Sequence, residues 1–367
     1  GEVVVESGGM DCALTPSLSF LVPFYSDTPL SPTCNMRNPS LHDQDPVAYF
    51  TRFFSSPASS SDYPCKYDFI LIPVFAILLT LIRLVAERIL HRIGCFLISV
   101  NQPEFPLKKP EEYAMKMIKF REQAFKMTYH GFIGLVALVL FGGSEWWANP
   151  DICQLTDAST IKFTPLFKLY YLLQTGFHLH SLVYHYIERT NHKRDDDIQM
   201  QVHHFATMFL TIGSFHLGFL KVGTLVLYTH DISDVFIALT KIANYTKFSD
   251  PTLAVLLTSV VFSWAYYRLY RFPKDVILNV WEHFDLPNGG LFLKSLNWVA
   301  FVLLILHWIW FYQIIQIPLA MVAGNKEYDT TENWKEATKQ KEGSKKGASA
   351  GKKGKSQHAK SAHIKQQ

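Results

Sequence analysis

Apolar residues gather along this chain in seven runs, near 69–88, 129–147, 165–187, 199–218, 222–243, 252–270 and 293–318. A helix of about 20 mostly apolar residues crosses the roughly 30 Å hydrocarbon core of a bilayer. The pattern therefore predicts an all-α, polytopic membrane protein with about seven transmembrane helices. Three of the runs are interrupted by polar positions at helical spacing. In the third, Gln174, His178, Ser181 and His185 recur at steps of three and four. In the fourth, His203 and His204 lead to Thr207, Thr211 and Ser214 at the same steps, and in the fifth His230 is followed by Asp231, Asp234 and Lys241. Each set falls broadly on one face of its helix. Burying three such faces together predicts an intramembrane polar chamber, because a charged side chain at the bilayer centre costs about 2.5–3.5 kcal/mol unless a partner or cavity compensates.

The remaining segments divide the chain into a Ser- and Pro-rich stretch over 1–64, a transmembrane domain over 65–320, and a Lys-rich tail over 321–367. The tail alternates Lys with Gly, Ser and Ala and is expected to be disordered. No positively charged start leads into an apolar core within 1–64, so no cleavable signal peptide is read there. Lys108, Lys109, Lys116, Lys119, Arg121 and Lys126 lie between the first two runs, against only Lys162 in 148–163. That bias places the N-terminus in the lumen and the C-terminus in the cytosol.

Composition fits this reading: 49% of residues are hydrophobic and only 18% charged, against about 25% in a soluble protein. The net charge of +4 belongs to the tail and implies no nucleic-acid partner. Cys12, Cys34, Cys65, Cys95 and Cys153 show neither a CxxC pair nor the spacing of a zinc site or disulfide framework.

The chemistry of the polar faces suits acyl transfer. An imidazole takes a proton near neutral pH and can act as a nucleophile, and a carboxylate on its other nitrogen fixes the tautomer. No Ser lies in a G-x-S-x-G elbow.

The residues Arg194 to Tyr245 resemble the Lag motif of ceramide synthases, within the TLC-domain family. The matching positions are Met200-x-x-His203-His204, Lys221-Val222-Gly223-Thr224, His230-Asp231-x-x-Asp234 and Lys241-x-x-Asn244-Tyr245, with Lys119-Phe120-Arg121-Glu122 upstream. Asp195, Asp196 and Asp197 depart from the family's usual wording before the His pair and are expected to cap the helix. The resemblance implies His203 and His204 as essential histidines, with His230, Asp231 and Asp234 completing the catalytic set. Gln174, His178, Ser181, Thr207, Thr211 and Lys241 are then expected to line the substrate path. It also implies an endoplasmic-reticulum enzyme that joins an acyl group from acyl-CoA, as co-substrate and without other cofactor or metal, to a sphingoid base such as sphinganine or phytosphingosine. Membrane lipids, and a homodimer or a small membrane accessory subunit, are the further partners it implies.

The connection from Arg271 to Leu293 places Phe272, Val276, Ile277, Val280, Trp281, Phe284 and Leu286 as one apolar face of a short amphipathic helix in the interface. The family associates this region with acyl chain-length choice, which makes Trp281 and Phe284 candidates for the floor of the acyl site; a plain interfacial anchor is the alternative. Two other functions compete with acyl transfer. A membrane di-iron hydroxylase or desaturase needs about eight histidines in repeated HxxHH clusters, a form this sequence does not have. A non-enzymatic TLC-domain lipid sensor or translocon-associated protein has no need of the His and Asp set.

Overall fold

The computed structural model describes residues 46–55, 65–150, 163–191, 196–283 and 291–322. A short helix α1 (Pro46–Ser55) precedes a one-turn 3-10 helix over Lys66–Ile70 that runs into α2 (Leu71–Asn101). The chain continues through α3 (Phe105–Lys108), α4 (Pro110–Phe141), α5 (Glu145–Ala148), α6 (Pro165–Asn191), α7 (Asp197–Leu217), α8 (Leu220–Tyr245), α9 (Asp250–Trp264), α10 (Asn279–His283) and α11 (Leu291–Val322). No membrane-length strand competes with this all-α architecture among the described residues.

Local sequence sets the ends of these helices. Pro110 opens α4, with Glu111 and Glu112 in its first turn, where a missing N–H costs nothing and negative charge meets the positive end of the helix. The hairpin between α7 and α8 is only two residues long, and Gly218 closes α7 in the left-handed region at φ 81°. Five stretches are long and apolar enough to cross a membrane: Lys66–Asn101, Pro110–Phe141, Leu220–Tyr245, Asp250–Glu282 and Leu291–Ala320. The other two long helices, α6 and α7, have 27 and 21 residues. At about 1.5 Å per residue they also have the length to cross, but their histidines lower their hydropathy.

The connection expected over 271–293 takes a different form. The helix does not stop at residue 270: it runs on through π-helical stretches at Ala265–Arg271 and Pro273–Leu278 into α10. Pro273 has no N–H for an α-type bond, and local rewinding to π geometry accommodates it. Arg271 pairs with Asp275 one turn on, so the stretch expected as a separate short interfacial helix continues the membrane-spanning one.

α4 packs along α8, α2 along α6, α8 along α9 and α7 along α11. Near the N-terminal end of α2 the packing is tight and includes a fully buried ion pair, Lys168 Nζ to Asp68 Oδ2 at 2.8 Å. The same carboxylate accepts the Cys65 backbone N–H at 2.7 Å. Cys65 is disulfide-bonded, a correction to the expectation that cysteine pairing has no part here. At Gly223 a Cβ would strike the Tyr171 ring. Its absence lets α8 close on α6 and leaves the Tyr171 hydroxyl 2.5 Å from Ser214 Oγ on α7.

Candidate active site

The helices enclose two cavities that meet. The wider, about 880 Å³, is lined at its mouth by Gln102 at the end of α2, Asp196 before α7, Lys247 after α8 and Gln313 of α11, all at one end of the bundle. Arg83, Lys126, Lys241 and Arg268 lie deeper in its walls, with Glu122 and Asp234 as carboxylates. The narrower, about 110 Å³, runs toward the opposite end between α7, α8, α11 and the helical continuation beyond α9, past Leu210, Val222, Val226, Phe272, Leu296 and Leu303. His130, His178, His203 and Asp234 line both cavities and so mark their junction.

The expected site residues distribute over this geometry as follows. His203 reaches the junction, whereas His204 lines only the wide cavity. Adjacent residues on a helix point about 100° apart, and here that sends the two rings to different neighbours. The His203 ring lies 5.3 Å from that of Trp310, and its Nδ1 is buried without a hydrogen-bond partner among the described residues. The His204 ring lies 5.4 Å from that of His185, whose Nε2 is 3.2 Å from Asp197 Oδ1. Asp197 thus turns toward His185 and Gln201; among the described residues no side-chain hydrogen bond of Asp196 caps the start of α7, and Asp195 lies outside them.

His230 lines the narrow cavity, but both its ring nitrogens are engaged. Nδ1 lies 2.7 Å from the Val226 carbonyl and so donates to it, which leaves Nε2 to accept from His307 Nε2 at 3.1 Å. Asp231 reaches neither of the paired histidines of α7; its Oδ1 is 2.7 Å from His130 Nδ1 and its Oδ2 accepts from Gln174 Nε2 at 2.6 Å. Asp234 is held by Arg268, which also donates from Nε to Ser233 Oγ at 2.6 Å and from Nη2 to the His230 carbonyl at 3.2 Å. The Arg268 guanidinium stacks 4.2 Å from the Trp264 ring centre and is only 3% exposed.

Of the expected substrate-path residues, His178 is at the junction, Ser181 and Lys241 line the wide cavity, and Thr207 and Thr211 line the narrow one. Two expectations are corrected. Gln174 is fully buried and lines neither cavity, because its amide is spent on Asp231 and on the Tyr129 hydroxyl at 3.1 Å. Trp281 is 58% exposed and also lines neither, since helical continuation through Pro273 turns Val276 and Val280 inward instead. Phe284 lies outside the described residues.

Sequence reasoning missed three groups: His130 on α4, Arg268 beyond α9, and His307 on α11. Each is an ionisable residue within a membrane-length apolar helix, and that is the signal that finds them. Among the described residues, no three His, Cys, Asp or Glu side chains converge as metal ligands do.

A family model described as the TLC domain matches residues 119–316. Sphingosine N-acyltransferase lag1 of Schizosaccharomyces pombe is 32% identical over 227 residues, 58% of this chain and 57% of that protein. Ceramide synthase hyl-2 of Caenorhabditis elegans is 29% identical over 263 residues, 66% of this chain and 75% of that protein. Ceramide synthase 1 LOH3 of Arabidopsis thaliana is 26% identical over 264 residues, 67% of this chain and 83% of that protein. The chain thus spans little more than half the length of the fission-yeast relative. Because the family match covers more than half of the chain and takes in every site residue from His130 to His307, this multi-pass membrane protein belongs to the TLC-domain family.

Proposed function

We infer that this chain is a ceramide synthase of the endoplasmic reticulum, transferring a fatty acyl group from acyl-CoA to the amine of a sphingoid base. The observation that carries this reading is the junction itself. Three histidines and a carboxylate stand where a wide cavity with basic side chains meets a narrow, mainly apolar one. Acyl-CoA has the same division: a polyanionic, water-seeking head, a reactive thioester, and an alkyl chain. Lys126, Arg83 and Lys241 suit the head, the apolar walls suit the chain, and the thioester then falls beside the histidines. In the reaction the thioester C–S bond breaks, a C–N bond forms, and one amine proton ends on the CoA sulfur. His203 or His204 attacks or deprotonates at the thioester while the other hydrogen-bonds the developing oxyanion. The names of the relatives support the same activity.

Purified full chain, incubated with sphinganine and a mixed acyl-CoA pool, is expected to release N-acyl sphinganine with or without a metal chelator. Absence of the amide mass overturns the reading. The same assay reads the depth of the narrow cavity. Ala300 lines it seven residues before His307 on α11, about 10 Å of helix from that residue. Ala300→Phe is expected to cut the cavity short and shift the products several-fold toward shorter acyl chains. Trp281→Ala is expected to leave the profile unchanged, because that indole faces outward.

Orientation follows from a second observation. Cys65 precedes α2 and is disulfide-bonded, which fits the oxidising lumen. The mouth of the wide cavity lies at the other end of α2, beside Gln102, where cytosolic acyl-CoA arrives. The N-terminus is then luminal and the Lys-rich tail cytosolic. Protease added to sealed microsomes is expected to remove a tag placed after Gln367 and to spare one placed before Glu2; the reverse pattern overturns the orientation.

A further inference from the structure

Of the three histidines at the junction, His130 is the one whose ring is hydrogen-bonded to a carboxylate among the described residues. Its Nδ1 lies 2.7 Å from Asp231 Oδ1, and both groups are buried. The carboxylate is itself fixed, since its second oxygen accepts from Gln174 Nε2 and the Gln174 carbonyl accepts from the Tyr129 hydroxyl. A carboxylate on Nδ1 keeps the proton on that nitrogen, leaves Nε2 as the acceptor, and stabilises the imidazolium once a proton is taken. His203 lacks such a partner on Nδ1, and His230 has both nitrogens occupied.

We propose that His130, oriented by Asp231, is a second catalytic histidine, the group that takes the ammonium proton from the sphingoid base and so frees the amine to attack. The inference rests on the ceramide synthase reading. An alkyl amine is mostly ammonium at neutral pH and must lose that proton before it is a nucleophile. The proton passes to His130 Nε2, the freed amine nitrogen bonds to the acyl carbon, and the C–S bond breaks. A second proton, lost from nitrogen as the amide forms, ends on the departing CoA sulfur, and His130 gives up the first to water, which returns the dyad to its starting state. Gln174 and Tyr129 act through Asp231 and are positioning residues. The titratable groups beside His130 are Asp231 and Asp234 on α8, His178 on α6, His203 on α7 and Tyr129 on its own helix, with Lys126, Arg83, Lys241 and Arg268 as the cations that share the wide cavity with it.

The test uses purified full chain with sphinganine and acyl-CoA. His130→Asn keeps a donor toward Asp231 but removes the base. Its kcat is expected to fall about 10²- to 10⁴-fold with the KM for acyl-CoA unchanged. The loss should shrink as the pH rises from about 7 toward 9, because solvent then supplies more free amine. A purely structural role lowers activity by the same factor at every pH. His130→Ala with added imidazole is the second arm, and partial recovery of amide formation is expected. Retained binding of a non-hydrolysable acyl-CoA analogue establishes that either variant is folded. Activity of His130→Asn within about threefold of wild type, or a pH-independent loss without imidazole rescue, overturns the proposal. A wild-type chain that forms no amide overturns the ceramide synthase reading instead.

Discussion

Replacing His203 by alanine is expected to abolish amide formation, with kcat lowered by about 10³-fold or more. His203 is the paired histidine that faces both cavities, and its ring stands where a thioester drawn between them comes to rest. Its Nδ1 has no protein partner among the described residues, so the side chain contributes little to holding α7 in place, and the loss should fall on chemistry rather than on folding. His204→Ala is expected to be severe as well. Its ring lies against His185 and lines the wide cavity alone, so part of its loss should appear as a raised KM for acyl-CoA. Product mass and steady-state kinetics on purified, detergent-stable variants check both. Near-normal amide formation by the pair of variants would falsify the assigned site.

Arg268→Leu is expected to be as damaging, but through electrostatics. The guanidinium is a cation within an apolar helix, tolerated because Asp234, Ser233 and the His230 carbonyl all accept from it. Removing it strands the Asp234 carboxylate, and breaking a buried pair from one side costs about 3–5 kcal/mol. Asp234 keeps contact with the chamber, which places the cost at the lower end, about 3 kcal/mol. The thermal midpoint in detergent should fall, and activity should be lost with it. Arg268→Lys keeps the charge but cannot satisfy three acceptors from one planar fork, so it should fold and remain poorly active. Pairing Arg268→Leu with Asp234→Leu should recover much of the stability and none of the activity. If the double variant is no more stable than Arg268→Leu, the ion pair is not what holds these helices in register.

The helical membrane fold was legible because a lipid-spanning helix announces itself by length and apolarity, without reference to its neighbours. The polar faces of α6, α7 and α8 were legible for the same reason, since each is periodic within one element. What periodicity does not carry is which face meets which. Asp231 and His130 are 101 positions apart, and His230 and His307 are 77 apart. Their pairing depends on how α4 and α11 pack, so no spacing within α8 points to His130 as the partner of Asp231. Gln174 sat on the expected polar face, yet a buried carboxylate beside it claimed its amide. Trp281 was expected on the inner face from the phase of a short, separate interfacial helix, whereas π-type winding and the Arg271–Asp275 pair carry the spanning helix through Pro273 and leave that indole exposed. Cys65 gave no signal because no two cysteines in the sequence stand at a spacing that marks a pairing.

The π-helical stretches after α9 also bear on how this family can change length over evolutionary time. Hydrogen bonds from residue i to i+5 accommodate more residues in each turn than an α-helix does, so the segment already carries the equivalent of absorbed insertions. Losing one residue there would shorten the span by only about 1.5 Å, a mismatch a bilayer scarcely resists. Return of one such turn to α-type winding takes up the lost residue locally, so the Arg268 side and the Val276 and Val280 side keep their faces. A one-residue gap placed within this stretch is therefore tolerated, whereas the same gap in the α-helical part of the span would turn one half against the other by about 100°.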